Sequence, residues 1–370
     1  MATLTSLLGL RKPAPSDNVN VTTDISDNMQ AIDDYFAGRF AVTPGRNVIR
    51  NGDMGVAQRG GGAVNTTQAR TVDGWLMVFS GGGCQHIRSA LTVGSSITDA
   101  LYTLKTDITG QSAAGDFFQT VHRIEGVRTY AGKQVTLSFI ARTSVGTPKI
   151  GVEIEQSFGT GGAPSAIVTT AISAITISTT LTKYSLTFTV PSISGKILGT
   201  NNDDYLAINL WMSAGATYAA RASNIGIQNV TALEITDVQL EAGSVATAFE
   251  RLPQQVQLAW CQRYFWRSTS DAVNQPWGWG TVSAAGTGFV GVPLPVPMRA
   301  YPTFTSSGSI NFSDRLSNFA VTALTLQAST ALSPTFVDLA VTTAGGMTAG
   351  RASVLYSGAA GVYIQFSAEL

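Results

Sequence analysis

Hydrophobic and polar residues alternate over short stretches along most of this chain. In 133–144, KQVTLSFIARTS, Val135, Leu137, Phe139 and Ala141 fall on one face of an extended backbone. In 203–213, DDYLAINLWMS, Leu206, Ile208, Leu210 and Met212 do the same. Nine such stretches predict strands at 84–90, 100–106, 117–124, 134–142, 149–156, 166–171, 182–190, 205–212 and 231–240, with Gly, Pro, Asn or Asp between them. Residues 48–50 and 75–79 also read as strands, with Asn51-Gly52 as a turn. This is the pattern of a β-sandwich. After residue 262 the pattern resumes on a smaller scale. Trp277, Trp279 and Thr281 alternate with glycines, and short strands recur at 353–357 and 362–366. Pro293, Pro295, Pro297 and Pro302 confine their stretch to an edge strand or an extended connection.

Two stretches depart from this period. Asp24 reads as an N-cap, Asp27 adds negative charge to the first turn, and Gly38 reads as a stop. Between them Ile25, Met29, Ile32 and Phe36, spaced four, three and four, form an apolar seam. Fourteen residues are marginal as a lone helix, so the seam needs a partner, either the following domain or copies of itself. The second stretch is the joint at 235–267. There a strand gives way to Pro253 and a short helix with Val256, Ala259, Trp260 and Arg263 on one face.

Composition narrows the function classes. Only 12 % of the 370 residues are charged, about half the usual share. Lys plus Arg and Asp plus Glu both number 23, so no basic field draws nucleic acid or an anionic membrane. Cys84 and Cys261 are far apart and read as buried thiols. The first residues do not form a signal peptide, and no apolar run spans a membrane, which fits folding in a cytoplasm. With only His86 and His122, and with no metalloprotease, nucleophile-elbow or phosphate-loop motif, no catalytic function or cofactor is expected. Sugar binding needs less, since aromatic faces stack on sugar C–H faces while amides and carboxylates bind hydroxyls. The candidates are Trp277 and Trp279, two apart on one face, followed by Trp266 and Tyr264; the alternative is that they fill a core or a threefold interface. Trp211 and Tyr205 lie on a core strand and read as structural.

Several motifs recur in one order. They are LGLRKPAPSDNVNV before a helix with IDDYF, N-x-I-x-N-G-x-M with A-Q-R-G, Asp73-Gly74-Trp75, RIEGVRTYAGKQVTLSFIART, QLEAGSVATAFE with a proline and LAWCQRYFW, and P-M-R-x-x-P-T. In this order the chain resembles bacteriophage tail-fibre and minor tail proteins of the receptor-binding kind; over 143–230 and 305–370 only β character remains. The resemblance implies a carbohydrate-binding-module-like jelly roll, with Trp75 packed inside it, and a smaller β domain after it. The expected fold is therefore all-β: a short N-terminal helix in a virion-attachment segment (1–45), a jelly-roll β-sandwich (46–251) and a smaller β-sandwich (252–370). It further implies a homotrimer in the virion, held to tail or other virion proteins through residues 1–44 and recognising host cell-surface polysaccharide. Structural calcium is an added option, with Asp53, Asp73, Asp237 and Glu241 in suitable positions. The competing reading is a purely structural collar or head fibre subunit; a secreted bacterial sugar-binding protein is disfavoured by the missing signal peptide.

Overall fold

Strands built on the alternating stretches stack as two sheets. The computed structural model describes residues 3–4, 10–12, 18–30, 32, 45–92, 97–327 and 333–370. Thr3–Leu4 (β1) and Arg11–Lys12 (β2) pair as a two-residue ladder. Ten strands follow: β3 (Trp75–Ser80), β4 (Gly83–Ala90), β5 (Tyr102–Thr109), β6 (Phe117–Glu125), β7 (Gln134–Arg142), β8 (Lys149–Ser157), β9 (Val168–Thr176), β10 (Thr182–Thr189), β11 (Tyr205–Ala214) and β12 (Leu233–Ala242). They form two antiparallel sheets, ordered β10-β7-β12-β5-β4 and β3-β6-β11-β8-β9. The faces named from the alternation meet between them. Val135, Leu137, Phe139 and Ala141 share one core with Leu206, Ile208, Leu210, Met212, Trp75 and Phe118, all at 0 % exposure. Residues 48–50 are a partial exception. Val48 donates to Leu240 O, but the side chain of Asn47 takes over the ladder, donating to Val238 O and accepting from Leu240 N–H, so no strand forms.

The second domain holds β13 (Phe265–Thr269), β14 (Pro276–Ala284), β15 (Thr287–Pro293), β16 (Thr303–Ser307), β17 (Ile310–Ser313), β18 (Asn318–Leu326), β19 (Phe336–Thr343), β20 (Ala352–Ser357) and β21 (Tyr363–Ser367). Its all-β character matches expectation, but its strands do not simply stack as a sandwich. Six of them close into a barrel, β14-β15-β19-β18-β17-β20, and β13-β21-β16 forms a small sheet beside it. Closure at this radius needs close approaches between strands. At Gly288 a Cβ would lie 2.6 Å from the Phe312 ring, so only glycine fits there. The barrel core contains Val290, Val292, Phe312, Leu339, Val341 and Leu355, with Ile364 and Phe366 added from the small sheet. The proline-rich stretch after Pro293 forms no strand before β16 and bends at 295–296 and 299–301 instead of staying extended.

At the N-terminus the helical segment starts earlier than Asp24. Asn20 caps a π-helical turn, Val21–Ser26, by accepting from Thr22 and Thr23 N–H, and Asp24 returns a bond to Asn20 N–H at 2.7 Å. That reciprocal pair moves the cap four residues back. Ile25 and Met29 are 48 % and 61 % exposed, Ile32 is half-buried, and Phe36 lies outside the described residues. Among the described residues no helix is long and apolar enough to cross a membrane.

Both histidines are enclosed in the sandwich. His86 bonds Thr120 Oγ1 at 3.0 Å, and the His122 ring sits 4.8 Å from that of Trp75. Burial lowers the His86 pKa to about 3. Burial, with Arg50 and Arg70 nearby, lowers that of His122 well below its ordinary value. Below pH 6.5 the unfolded chain takes up protons that the folded one refuses, so this contribution to stability is complete above pH 6.5 and falls as pH drops toward 3. Asp73, raised by burial to about 6 against the opposing pull of Arg59, works in the opposite sense, since its folded form gains stability as pH falls from 6 toward 4. Urea unfolding should therefore show a net loss of roughly 2–3 kcal/mol between pH 7 and pH 5. A flat or rising stability over that window contradicts neutral buried histidines.

Candidate carbohydrate-binding groove

The joint fixes how the barrel sits on the sandwich. Helix α1 (Gln254–Gln262) follows Pro253 as expected, but the face it buries is different. Gln257 and Cys261 are buried and Val256 is 51 % exposed. The reason is polar. Gln257 donates to Asn51 Oδ1 and Asp53 Oδ1, so the helix docks on the sandwich's Asn51-Gly52 turn through an amide. Asn51, at φ 55°, also bonds Val56 N–H, Val56 O and Asp73 O, and a Cβ on Gly52 would strike Val238 O.

Beyond α1 the contacts are arginine on aromatic and on carboxylate. The Arg50 guanidinium lies 3.8 Å over the Tyr264 ring and that of Arg59 lies 3.3 Å over Phe265. Tyr264 donates to Glu125 at 2.8 Å, beside the Arg263–Glu125 pair. Glu369 faces Arg50, Arg59 and Arg70 at 3.3, 3.4 and 3.6 Å. Burial works to raise the Glu369 pKa, but Arg70, Arg50 and Arg59 outweigh it and hold the carboxyl below its usual range. Burial and the neighbouring guanidiniums push Arg70 down to about 10, against the pull of Glu369. Arg123 donates to Leu370 O at 2.6 Å.

This geometry separates the aromatic candidates. Tyr264 is 4 % exposed, inside the joint. Trp266 is half-buried and stacked on Phe366 at 5.7 Å and 11°. Trp277 is 7 % exposed in the barrel core and donates to Ser268 Oγ. Trp279 is 63 % exposed. Trp277 and Trp279 thus do not share a face, which corrects the period-two reading. A bulge between Pro276 and Gly278 inserts one residue and turns Trp277 inward.

Trp279 stands on one wall of a groove of about 340 Å³ that crosses the outside of β14, β20 and β17. Val354 lies between Ser313 and Trp279 in register, and Tyr356 lies between Asn311 and Pro276. Val354 and Tyr356 are therefore the floor. Asn274, Pro276 and Trp279 line one side, with Ser313, Arg315 and Asn318 on the other. Tyr356 is 5 % exposed, yet its hydroxyl has no hydrogen-bond partner. The turn carrying Arg315 is held by Asp314, whose Oδ1 accepts from Leu316 and Ser317 N–H and whose Oδ2 accepts from Thr348 N–H. These bonds depress the Asp314 pKa and keep its carboxylate on the backbone. On the far side of β14, Trp279 pairs with Gly291, where a Cβ would collide with the Phe336 ring. Phe336 and Phe289 are 45 % and 40 % exposed, so the aromatic surface continues past the groove.

Tyr356, Arg315, Asn274 and Asn318 were not singled out from the sequence. Asn274, at φ 65°, and Arg315, at φ 72°, sit at positive-φ turn positions, a local signal that does not tell which face of the barrel they reach.

Two other polar clusters are closed. On the outer face of the second sheet, Glu153 accepts from Asn209, Trp211 Nε1 and Arg221, and Glu155 accepts from Tyr205. Trp211 is fully buried there, beside Ala222 and Ile225. At the joint, Arg251 faces Asp237 at 2.9 Å, Asp53 at 3.6 Å and Asp99 at 3.9 Å. Asp73 is bonded by Gln58 and Arg59, and Glu241 by Gln239 and Thr247. These residues do not fit a calcium ion, because a guanidinium already occupies the centre of the Asp53–Asp237 cluster.

No protein-family profile and no curated protein matches the chain. Among solved structures it is similar to the CBM22-2 xylan-binding domain of Xyn10C from Paenibacillus barcinonensis, at 16 % identity over 49 % of this chain and 98 % of that one, TM-score 0.30. It is similar to a CBM4 structure at 17 % identity over 53 % and 99 %, TM-score 0.29. A third is the enzymatically active domain of tailspike protein 4 of bacteriophage CBA120, at 14 % identity over 55 % of this chain and 22 % of that one, TM-score 0.33. The protein is an all-β chain whose first domain is a jelly-roll sandwich of two five-stranded antiparallel sheets.

Chelation should leave wild-type melting unchanged, while Arg251→Ala, which strips three carboxylates of their counter-ion, should cost about 2 kcal/mol. Calorimetry with and without EDTA checks both, and a wild-type melting point that falls on chelation contradicts the guanidinium-filled cluster.

Proposed function

We propose that this chain recognises a glycan through the Trp279 groove and serves as a receptor-binding fibre subunit of a phage virion. The observation that carries the glycan reading is the 63 % exposed Trp279 on the wall of a groove lined by Asn274 and Asn318. A flat indole supplies a stacking face for a sugar ring, and Asn274 and Asn318 supply partners for its hydroxyls. The proposed activity is recognition, not cleavage. The virion role rests on the motif order and on the N-terminal segment. There the exposed Ile25 and Met29 offer a face for copies of the same chain, with homotrimer as the proposed state. Three grooves on one fibre would raise a weak single-site affinity by avidity.

The test is binding of the purified oligomer to host-type cells and a glycan array, with assembly followed by light scattering. Trp279→Ala should assemble and melt as the wild type does but bind about 30-fold more weakly. Trp277→Ala should instead lose roughly 3–5 kcal/mol of stability, because its ring fills the barrel core. Unchanged binding by a correctly assembled Trp279→Ala protein overturns the site. Failure of the wild type to bind any surface glycan leaves the structural collar or head fibre role in its place.

A further inference from the structure

We infer that the sugar taken by the Trp279 groove is acidic, carrying a carboxylate that pairs with Arg315. This rests on the glycan reading and adds the class of ligand to it. Arg315 is the one charged residue among those lining the groove, and it stands across the floor from Trp279. Its guanidinium is exposed and forms no ion pair or side-chain hydrogen bond among the described residues. The acid next to it in the chain, Asp314, does not neutralise it, since both Asp314 oxygens accept from backbone N–H groups of 316, 317 and 348.

The other polar groups point to the same ligand. The side-chain amides of Asn274 and Asn318 can each donate two N–H groups. A groove with a guanidinium and two amides, and with no carboxylate on its lining, has more donors than acceptors. A neutral sugar, whose hydroxyls both donate and accept, does not use that excess. A ring bearing a carboxylate does, since Arg315 can meet the two oxygens side by side with charge-assisted bonds while the ring stacks on Trp279. Asp338, paired with Gly291 on β19, is exposed beyond Trp279 on the opposite side from the groove, so charge is divided across the platform with the positive end in the groove.

The experiment is calorimetric titration of the full chain with matched acidic and neutral oligosaccharides: galacturonan against galactan fragments, glucuronoxylan against xylan fragments, and sialyllactose against lactose. The acidic member of at least one pair should bind about tenfold more tightly than its neutral partner, and the preference should shrink as salt rises. Arg315→Gln should bring the pair to within about twofold, while Trp279→Ala should weaken both members. Equal binding within every pair, or a preference that survives Arg315→Gln, overturns the acidic-sugar assignment and leaves glycan recognition standing. If no member of any pair binds wild type, glycan recognition falls and the acidic-sugar assignment falls with it.

Discussion

Glu369 is a carboxylate with almost no access to water, and three guanidinium groups from the other domain surround it. An ion so enclosed is tolerated only when its charge is matched and its oxygens are bonded. Here the match comes from Arg50, Arg59 and Arg70, which all lie at the start of the jelly roll. Their own burial is in turn acceptable only because Glu369 and Asp73 are present. Each side of the joint would be left with a stranded charge without the other. The consequence is geometric: β21 leads directly into Glu369, so the small sheet, and the barrel packed on it, take their position from this cluster. The arginine–aromatic stacks on Tyr264 and Phe265 and the amide bonds of Gln257 surround the same contact and exclude water from it.

The fixed joint also explains why the aromatic residues nearest to it do not form a site. Tyr264 is buried in the joint itself, and the Trp266 ring is stacked on Phe366 at the edge of the second domain's core. The groove lies out on the barrel wall, across β14, β20 and β17, where strands already bonded on both sides hold Trp279, Tyr356 and the Arg315 turn without help from the joint. A rigid wall suits recognition of this kind, since a stacking face and a few hydrogen-bond partners gain most when they are already in place.

Most strands of the sandwich were legible from alternation alone. The β7 and β11 faces named from the pattern are the faces that fill the core, and the predicted ends of most strands lie within two residues of the observed ones. What alternation could not show was any place where the backbone breaks its own period. The bulge beside Pro276 separated Trp277 from Trp279, and an inserted residue leaves no mark in composition. The α1 face was misjudged for a different reason. Apolar spacing selected Val256 and Trp260, but the surface that receives the helix is an Asn-Gly turn and a carboxylate, so Gln257 is the residue it buries. The barrel and its groove depended on contacts between strands far apart in sequence. Asn274, Arg315 and Tyr356 come together only after closure, and no spacing in the chain announces that.

The claim that Trp279 is the residue that meets the ligand can be tested by observing all six tryptophans of the chain at once. Fluorine NMR of the oligomer labelled with 5-fluorotryptophan, with the Trp279 signal assigned by Trp279→Phe, reports each ring separately. The Trp279 signal should have the largest solvent-isotope shift in the free protein and move most when host polysaccharide is added, while those of Trp75, Trp211 and Trp277 stay in place. A titration in which Trp279 does not respond and Trp266 or Trp260 does would contradict it and move the binding surface to the joint.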